Sequence, residues 1–182
     1  MNASSNVKSK LPASLEKLSV HDHLCLIYET REEQFAAAIP FMRIGLERGE
    51  KCIYIADENP SNQVLEAMRA EGIDVDQYIE SGALAVLTKK DTCLKEGCFD
   101  PDLMIAFLKE SVRTAKSAGF SALRVTAEMT WALGDEPGTE KLIEYEAKLN
   151  RFFAKNKCLA VCQYNRKRFS AEIIRNIIYT HP

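Results

Sequence analysis

Five short apolar segments alternate with longer amphipathic segments after residue 20. They contain β-branched or aromatic residues and run from Leu24 to Tyr28, Cys52 to Ala56, Ala83 to Leu87, Ala122 to Ala127, and Cys158 to Gln163. Continuous apolar character over so few residues is typical of strands buried on both faces of a parallel sheet. The pattern therefore predicts an α/β fold with a mainly parallel central sheet.

Helix signals occupy the intervals between these segments. Thr30 and Glu33 form a capping box, and Pro40 is expected to kink or restart the helix that follows. Asn59-Pro60 and Asp100-Pro101 each place proline directly after an N-cap residue, as at a helix start. Further helices are predicted from Thr139 to Asn156 and from Ser170 to Tyr179. Regular alternation of strands and helices predicts a three-layer αβα domain with helices on both faces of the sheet.

Composition narrows the class of protein. A chain of 182 residues is expected to form one domain, here residues 20–182 behind a flexible polar tail at residues 1–19. A net charge of -2 argues against broad contact with nucleic acid or an anionic membrane. No apolar run approaches the ~20 residues of a membrane span, and the N-terminus does not resemble a signal peptide. We therefore expect a cytoplasmic protein whose six cysteines are reduced.

The turn after the first predicted strand is the most informative segment. In a nucleotide-binding α/β protein a glycine-rich phosphate loop would lie here. This turn contains no glycine and carries Glu29, Glu32 and Glu33. Backbone amides at a helix N-terminus attract anions, and these carboxylates would occupy or repel that field. The turn predicts a ligand-binding scaffold without a phosphate cradle, and favours a sensor over an enzyme.

Ligands of open parallel sheets bind at the carboxyl ends of the strands. The candidate ligand-binding residues at or near these ends are Tyr28, Glu29, Asp57, Glu58, Arg124, Glu128, Trp131, Gln163 and Tyr164. Strand alternation places Arg124 and Glu128 on one face. One interpretation is an internal ion pair of Arg124 with Glu128 or with a helix. The other makes Glu128 and Trp131 part of a pocket rim, although Trp131 is equally suited to be a packing anchor.

A metal site has weaker support in the sequence. His21, His23 and Cys25 alternate, so a strand would place them on one face, and all three are metal-ligand types. Their spacing implies no further ligands, so we expect the histidines to form hydrogen bonds near the strand start and predict no metal cofactor. The sequence contains no Gly-x-Ser-x-Gly motif, so it gives little support to nucleophilic catalysis. The basic run Arg166-Lys167-Arg168 is interpreted as solvated surface, with a phosphate or partner contact as the alternative.

An ordered series of segments resembles one known family. The segments are His23 to Tyr28, Phe41 to Ile55, Gly97 to Pro101, Arg124 to Trp131, Tyr145-Glu146, Cys162 to Tyr164 and His181-Pro182. This series resembles the MEDS domain, a sensory domain of methanogen and methylotroph regulators related to the dichloromethane-responsive repressor. The resemblance implies a RecA/KaiC-like fold, similar to a P-loop NTPase but without a Walker A loop. It also implies sensing of a small organic molecule, a hydrocarbon derivative or one-carbon metabolite, in signal transduction or transcription regulation.

Members of that family often carry the domain beside a DNA-binding or kinase module. Residues 1–19 are too short for a helix-turn-helix, so we expect output through a separate regulator or kinase, with no direct contact to nucleic acid or membrane. By analogy with RecA-like folds we expect a homo-oligomer, and no cofactor besides an unknown small-molecule ligand. Two alternatives stay open. One is a divergent KaiC-like ATPase in which Glu128 activates water, and the other is a metal or thiol redox sensor using His21, His23 and Cys25, with Cys93 and Cys98 as further candidates.

Overall fold

The computed structural model describes residue 11 and residues 13–181 of the chain. Its five strands are β1 (His23–Tyr28), β2 (Lys51–Ala56), β3 (Leu84–Thr88), β4 (Leu123–Glu128) and β5 (Cys158–Asn165). They form one parallel sheet in the order β1-β5-β4-β2-β3. The predicted five strands and their parallel arrangement are confirmed. Because β1 lies beside β5, the sheet joins the first and last strands of the chain.

Helices cover both faces of this sheet. They are α1 (Arg31–Glu47), α2 (Ser61–Ala70), α3 (Val75–Glu80), α4 (Pro101–Ser117), α5 (Leu142–Phe153) and α6 (Ala171–Thr180), with short 3₁₀ helices at Met129–Leu133 and Thr139–Lys141. One apolar core lies between the sheet and α1 to α3, and a second lies between the sheet and α4 to α6. The three-layer αβα architecture is therefore confirmed. Among the described residues, no helix has both the length and the apolar character to cross a lipid bilayer.

Local capping explains where α1 begins. The Thr30 hydroxyl accepts a hydrogen bond from the Glu33 amide at 3.3 Å, and a Glu33 carboxylate oxygen accepts one from the Glu29 amide at 2.9 Å. Thr30 is therefore the predicted N-cap, and Glu33 completes a variant of the capping box in which it accepts from the residue before the cap. The expected restart at Pro40 is wrong, because α1 continues through it. Proline removes only one backbone hydrogen bond, and burial of its neighbours Phe41 and Met42 holds the helix in place.

Part of the predicted tail packs against the domain. Leu15 is buried in the core on the α1 face. The guanidinium of Arg48 donates to the carbonyl of Leu18 at 2.9 Å and to that of Glu16 at 2.5 Å. Residues 13–19 therefore extend the folded domain beyond the boundary predicted at residue 20. The rest of the predicted tail, residues 1–10 and 12, lies outside the described residues.

Arg124 is fully buried at the amino end of β4. Its Nε lies 2.5 Å from a carboxylate oxygen of Glu50, and its guanidinium lies 4.4 Å from the centre of the Phe41 ring. Gly45 makes room for it, because a Cβ on Gly45 would stand 2.5 Å from the Arg124 side chain. The expected ion pair of Arg124 with Glu128 or a helix is therefore corrected. Its partner precedes β2, at the opposite end of the sheet from the predicted pocket.

Candidate functional site

Glu128 is the centre of a buried polar network at the carboxyl ends of the strands. One carboxylate oxygen accepts hydrogen bonds from the Tyr54 hydroxyl and the Asn59 side-chain amide, both at 2.8 Å. The other accepts the backbone amides of Asp57 and Asn59, both at 2.9 Å. Burial, with the nearby charge of Glu128, raises the pKa of Tyr54 well above its ordinary value, so its hydroxyl stays protonated and donates. Glu128 therefore holds the loop between β2 and α2 in place through its hydrogen bonds to Asp57 and Asn59.

Side-chain amides extend this network from α1 across the sheet. Asn59 donates to the Gln34 oxygen at 2.9 Å, and Gln34 donates in turn to the Gln163 oxygen at 2.7 Å. Gln163 then donates to the Thr126 hydroxyl at 2.8 Å. We call this group the carboxyl-edge network; its members are Gln34, Tyr54, Asn59, Thr126, Glu128 and Gln163. Paired polar groups of this kind fix the relative positions of α1, β2, β4 and β5.

The acidic turn after β1 is paired with the basic turn after β5. Glu29 forms ion pairs with Arg166 at 2.8 Å and with Lys167 at 3.6 Å. Arg168 forms an ion pair with Glu58 at 3.1 Å. The basic run is thus a partner of carboxylates within the same chain. Opposite charges on neighbouring turns offset the charge of Glu29, whereas Glu32 and Glu33 lie in the first turn of α1, where the helix N-terminus favours carboxylates.

Two further predicted residues are paired at the same edge. The Tyr28 hydroxyl donates to Glu58 at 3.1 Å. Asp57 accepts a hydrogen bond from the Thr130 hydroxyl at 2.7 Å and forms an ion pair with Lys89 at 3.0 Å. The hydrogen bond to Asp57 and its charge together raise the pKa of Lys89 despite partial desolvation. Tyr28, Glu29, Asp57, Glu58, Glu128 and Gln163 are therefore together at the carboxyl edge, where the strand ends predicted them.

Trp131 and Tyr164 lie on the other face of the sheet. Trp131 is only 2% exposed, and its ring centre lies 4.2 Å from that of Phe99. This contact is that of a packing anchor, which was one of the two interpretations of the sequence. The hydroxyl of Tyr164 donates to a carboxylate oxygen of Glu146 on α5. Tyr164 thus contacts a second polar group through Glu146, and this group is separate from the carboxyl-edge network.

This second group is the histidine–cysteine cluster, formed by His23, Glu146, Cys162 and His181. Its members come from β1, α5, β5 and the residue after α6. A carboxylate oxygen of Glu146 lies 3.2 Å from Nε2 of His23 and 3.3 Å from Nε2 of His181. The Cys162 sulfur lies 3.6 Å from Nε2 of His23. All four potential ligand atoms lie within 4.8 Å of one another.

The proton positions on both imidazoles follow from their partners. Nδ1 of His181 lies 2.8 Å from the carbonyl oxygen of Ile177, which can only accept. Nδ1 of His23 lies 2.7 Å from the Asn150 side-chain oxygen. The Asn150 amide nitrogen donates to the Thr180 carbonyl at 2.5 Å, which fixes that oxygen toward His23. Both rings therefore carry their proton on Nδ1, and both Nε2 atoms are available as ligands.

The cluster is deeply buried and incompletely paired. Among the described residues, one carboxylate oxygen of Glu146 and Nε2 of His181 have no hydrogen-bond partner. Burial raises the pKa of the Cys162 thiol well above its ordinary value, and the charge of Glu146 adds to this effect. Burial lowers the pKa of His181 and so favours its neutral form. Buried polar atoms without partners are costly and require an explanation.

Sequence reasoning found one member of this cluster. Of the three predicted metal candidates, His23 belongs to the cluster, whereas His21 and Cys25 lie outside it. Nδ1 of His21 instead lies 2.7 Å from the Phe153 carbonyl oxygen. The expected hydrogen bonds of both histidines near the strand start are present. One signal for the missed residue Glu146 was available. It is a carboxylate on the otherwise apolar stripe of α5, between Leu142 and Leu149.

An apolar cavity adjoins the cluster between the sheet and helices α4 and α5. Its lining includes Ile55, Met104, Leu108, Val125, Ala160 and Cys162. Its volume of about 20 Å³ is room for about one water-sized molecule. Cys162 is shared by the cavity wall and the histidine–cysteine cluster. The structure thus places the polarisable Cys162 sulfur beside an apolar space.

The five-stranded parallel sheet, with helical layers on both of its faces, defines an α/β domain with a KaiC-like fold. It is similar to the KaiC-like protein PH0186 of Pyrococcus horikoshii OT3, with TM-score 0.60, 19% identity, and coverage of 86% of this chain and 69% of that one. It is also similar to the flagellar accessory protein FlaH of Methanocaldococcus jannaschii, with TM-score 0.62, 14% identity, and coverage of 100% and 76%. At these identities the likeness concerns the fold.

The particular family follows from the sequence. The model of the MEDS family, the methanogen/methylotroph DcmR sensory domain, matches residues 22–182, so the chain belongs to this family. It is 26% identical over 165 residues to the transcriptional repressor DcmR of Methylorubrum extorquens, covering 90% of this chain. The chain spans 59% of the length of that repressor. Family membership and this relative support a sensory, regulatory role.

Proposed function

We propose that this domain senses a small, weakly polar organic molecule without chemical turnover, and that the molecule binds in the apolar cavity beside Cys162. A hydrocarbon derivative or one-carbon metabolite is the ligand class. The cavity is the observation that carries the proposal, because it is the apolar space that adjoins a polar cluster inside a sensory domain. The signal passes to a separate transcriptional or signalling partner.

The size of the cavity limits the ligand and its affinity. A compound of three heavy atoms requires the cavity to widen from its present volume of about 20 Å³, and it gains at most about 4.5 kcal/mol, at the ceiling of about 1.5 kcal/mol per atom. This corresponds to a dissociation constant of about 1 mM. The thioether of Met104 and the thiol of Cys162 are polarisable and suit halogen or sulfur substituents. The proposed ligand is therefore small and weakly bound, and is tested at millimolar concentration.

The hydrogen bonds of the carboxyl-edge network favour a ligand-binding role for the domain over ATP hydrolysis. The carboxylate of Glu128 accepts four hydrogen bonds from Tyr54, Asp57 and Asn59. A carboxylate occupied in this way is not free to orient or activate an attacking water. The acidic first turn of α1 also carries the same sign of charge as a triphosphate. Both features favour a sensor in this fold over the divergent ATPase.

Ligand binding would act as a population shift. The cavity lies between the sheet and helices α4 and α5, so an occupant favours the arrangement in which these helices leave the cavity open. The outer surfaces of these helices then carry the change to a partner. We propose a homo-oligomer as the working assembly, by analogy with RecA-like folds alone.

A cavity-filling variant tests the proposed site. The melting temperature is measured with halogenated methanes, methanol and related one-carbon compounds at ten times their dissociation constants. Binding then stabilises the protein by about 1.4 kcal/mol, which raises the melting temperature by about 3–5 °C for a domain of this size. Ala160→Val adds volume to the cavity wall and is expected to abolish the shift.

Ala85→Val is the matched control, because Ala85 packs on the same sheet face but is not part of the cavity lining. It is expected to keep the full ligand response. The proposal fails if no compound of the series raises the melting temperature. It also fails if Ala160→Val responds as the wild type does. Tight, magnesium-dependent binding of ATP in calorimetry would instead favour the ATPase.

A further inference from the structure

We propose that the histidine–cysteine cluster is a zinc site, with His23, Glu146, Cys162 and His181 as its four protein ligands. The ligand atoms are Nε2 of both histidines, a carboxylate oxygen of Glu146 and the sulfur of Cys162. This inference does not rest on the proposed organic ligand, although Cys162 belongs to both the cavity wall and the cluster. It assigns a metal to residues that come together only through the pairing of β1 with β5 and the packing of α5 and α6.

The distances approximate a tetrahedron. Zinc bonds of about 2.0–2.3 Å place neighbouring ligand atoms about 3.3–3.8 Å apart. Three separations in the cluster are 3.2, 3.3 and 3.6 Å, and all the others are within 4.8 Å. Shifts of about 1 Å or less in the ligand atoms therefore suffice to close the tetrahedron.

The electrostatics of the cluster require a positive charge. Two imidazole lone pairs, those of His23 and His181, face one carboxylate oxygen of Glu146. Their Nδ1 protons are held by Asn150 and Ile177, so neither ring in this form offers a proton to Glu146. Three acceptors facing one another in a buried space repel, and the Cys162 thiol, a weak donor, compensates their desolvation only in part. A divalent cation at the centre of the group pairs all of them at once.

The surrounding residues match those that hold metal ligands in place. The second oxygen of Glu146 accepts from the Tyr164 hydroxyl, which orients the carboxylate. Asn150 and the Ile177 carbonyl hold the two imidazoles in the tautomer that a metal needs. Binding releases the proton of the Cys162 thiol to solvent and leaves a thiolate ligand.

Nitrogen, sulfur and oxygen ligands in one tetrahedral group favour zinc among the common divalent metals. Four protein ligands fill its coordination, so this is a structural site rather than an open catalytic one. The metal would join β1, α5, β5 and the C-terminal end of α6. Metal occupancy would therefore hold α6 against the sheet and stabilise the domain.

The test uses the full chain after removal of bound metal with a chelator. Zinc is titrated by calorimetry, and Co²⁺ is titrated by visible absorption. We expect one equivalent to bind, a higher melting temperature with zinc, and a cobalt spectrum with tetrahedral d–d bands and a thiolate charge-transfer band. Cys162→Ala and His181→Asn are each expected to weaken zinc binding by more than roughly 100-fold, beyond the usual effect of a residue outside the first coordination shell.

Each variant is compared with a control in which a residue of the same type outside the cluster is replaced. Cys158→Ala removes another buried thiol from the same strand and sheet face, and His21→Asn removes a histidine outside the cluster at a positive φ that asparagine tolerates. Both controls are expected to bind one equivalent at wild-type affinity. Near-ultraviolet circular dichroism verifies folding; if Cys162→Ala does not fold, His181→Asn decides.

Two results would overturn the inference. One is a folded wild-type chain that binds no stoichiometric zinc or cobalt. The other is unchanged zinc affinity in folded His181→Asn. Loss of the charge-transfer band in Cys162→Ala, with retention in Cys158→Ala, assigns the sulfur ligand.

Discussion

Replacement of Glu128 by glutamine removes a charge from the carboxyl-edge network while keeping its shape. The amide oxygen can still accept the backbone amides of Asp57 and Asn59, which now lie opposite a neutral acceptor. Each of these bonds weakens by about 1 kcal/mol, the difference between charged and neutral hydrogen bonds. In the wild type the Asn59 side-chain nitrogen lies 2.8 Å from a carboxylate oxygen of Glu128. In the variant this nitrogen faces the new amide nitrogen, and the donor–donor contact costs about 1 kcal/mol or more.

The sum is a loss of about 3 kcal/mol in the free energy of unfolding. For a domain of this size it corresponds to a decrease of about 6–12 °C in melting temperature. Urea denaturation followed by circular dichroism measures the free energy, with the slope checked for two-state behaviour. Exposed Glu47 supplies the control, since Glu47→Gln is expected to change stability by less than about 0.5 kcal/mol. A Glu128→Gln variant within about 1 kcal/mol of the wild type would refute this account of the network.

Three further changes test the amino end of the sheet and the thiols. Gly45→Ala is expected to destabilise the protein by about 1–3 kcal/mol in urea denaturation through its clash with Arg124; helix propensity alone would stabilise it by about 1 kcal/mol. Arg124→Met should cost about 3–5 kcal/mol, and a double-mutant cycle with Glu50→Leu should recover much of that loss; strictly additive losses would contradict the pair. Exposed Cys98 should react first with a thiol reagent in the native protein, whereas burial raises the pKa of Cys52 to about 12; a fast phase that persists in Cys98→Ser would contradict this.

Local sequence signals predicted the elements of the fold well. Thr30 and Asp100 cap α1 and α4 because their side chains accept backbone amides within their own first turn. The apolar segments became the strands because burial on both faces requires apolar residues throughout. Pro40 was misleading because its effect depends on tertiary packing, which outweighs one lost hydrogen bond.

The predicted positions of the candidate residues are observed in part, whereas their role in ligand binding stays a prediction. Strand ends placed Glu128 and Gln163 at one edge, since parallel strands end at the same side of a sheet. The alternation of side chains along each strand showed which residues share a face of the sheet, but it did not show which helix covers that face. Tyr164 therefore hydrogen-bonds to Glu146 of the histidine–cysteine cluster, and Arg124 pairs with Glu50. Nothing local distinguishes these partners from other nearby charges.

The chain's pattern of apolar, capping and turn residues was sufficient to determine its strands, its helical layers and its glycine-free first turn, because those features depend on neighbours in sequence. Tertiary structure decided the partners. The strand order set β1 beside β5 and brought His23 next to Cys162, and α5 and α6 added Glu146 and His181. These contacts are specified by packing across the whole domain, which no local periodicity encodes.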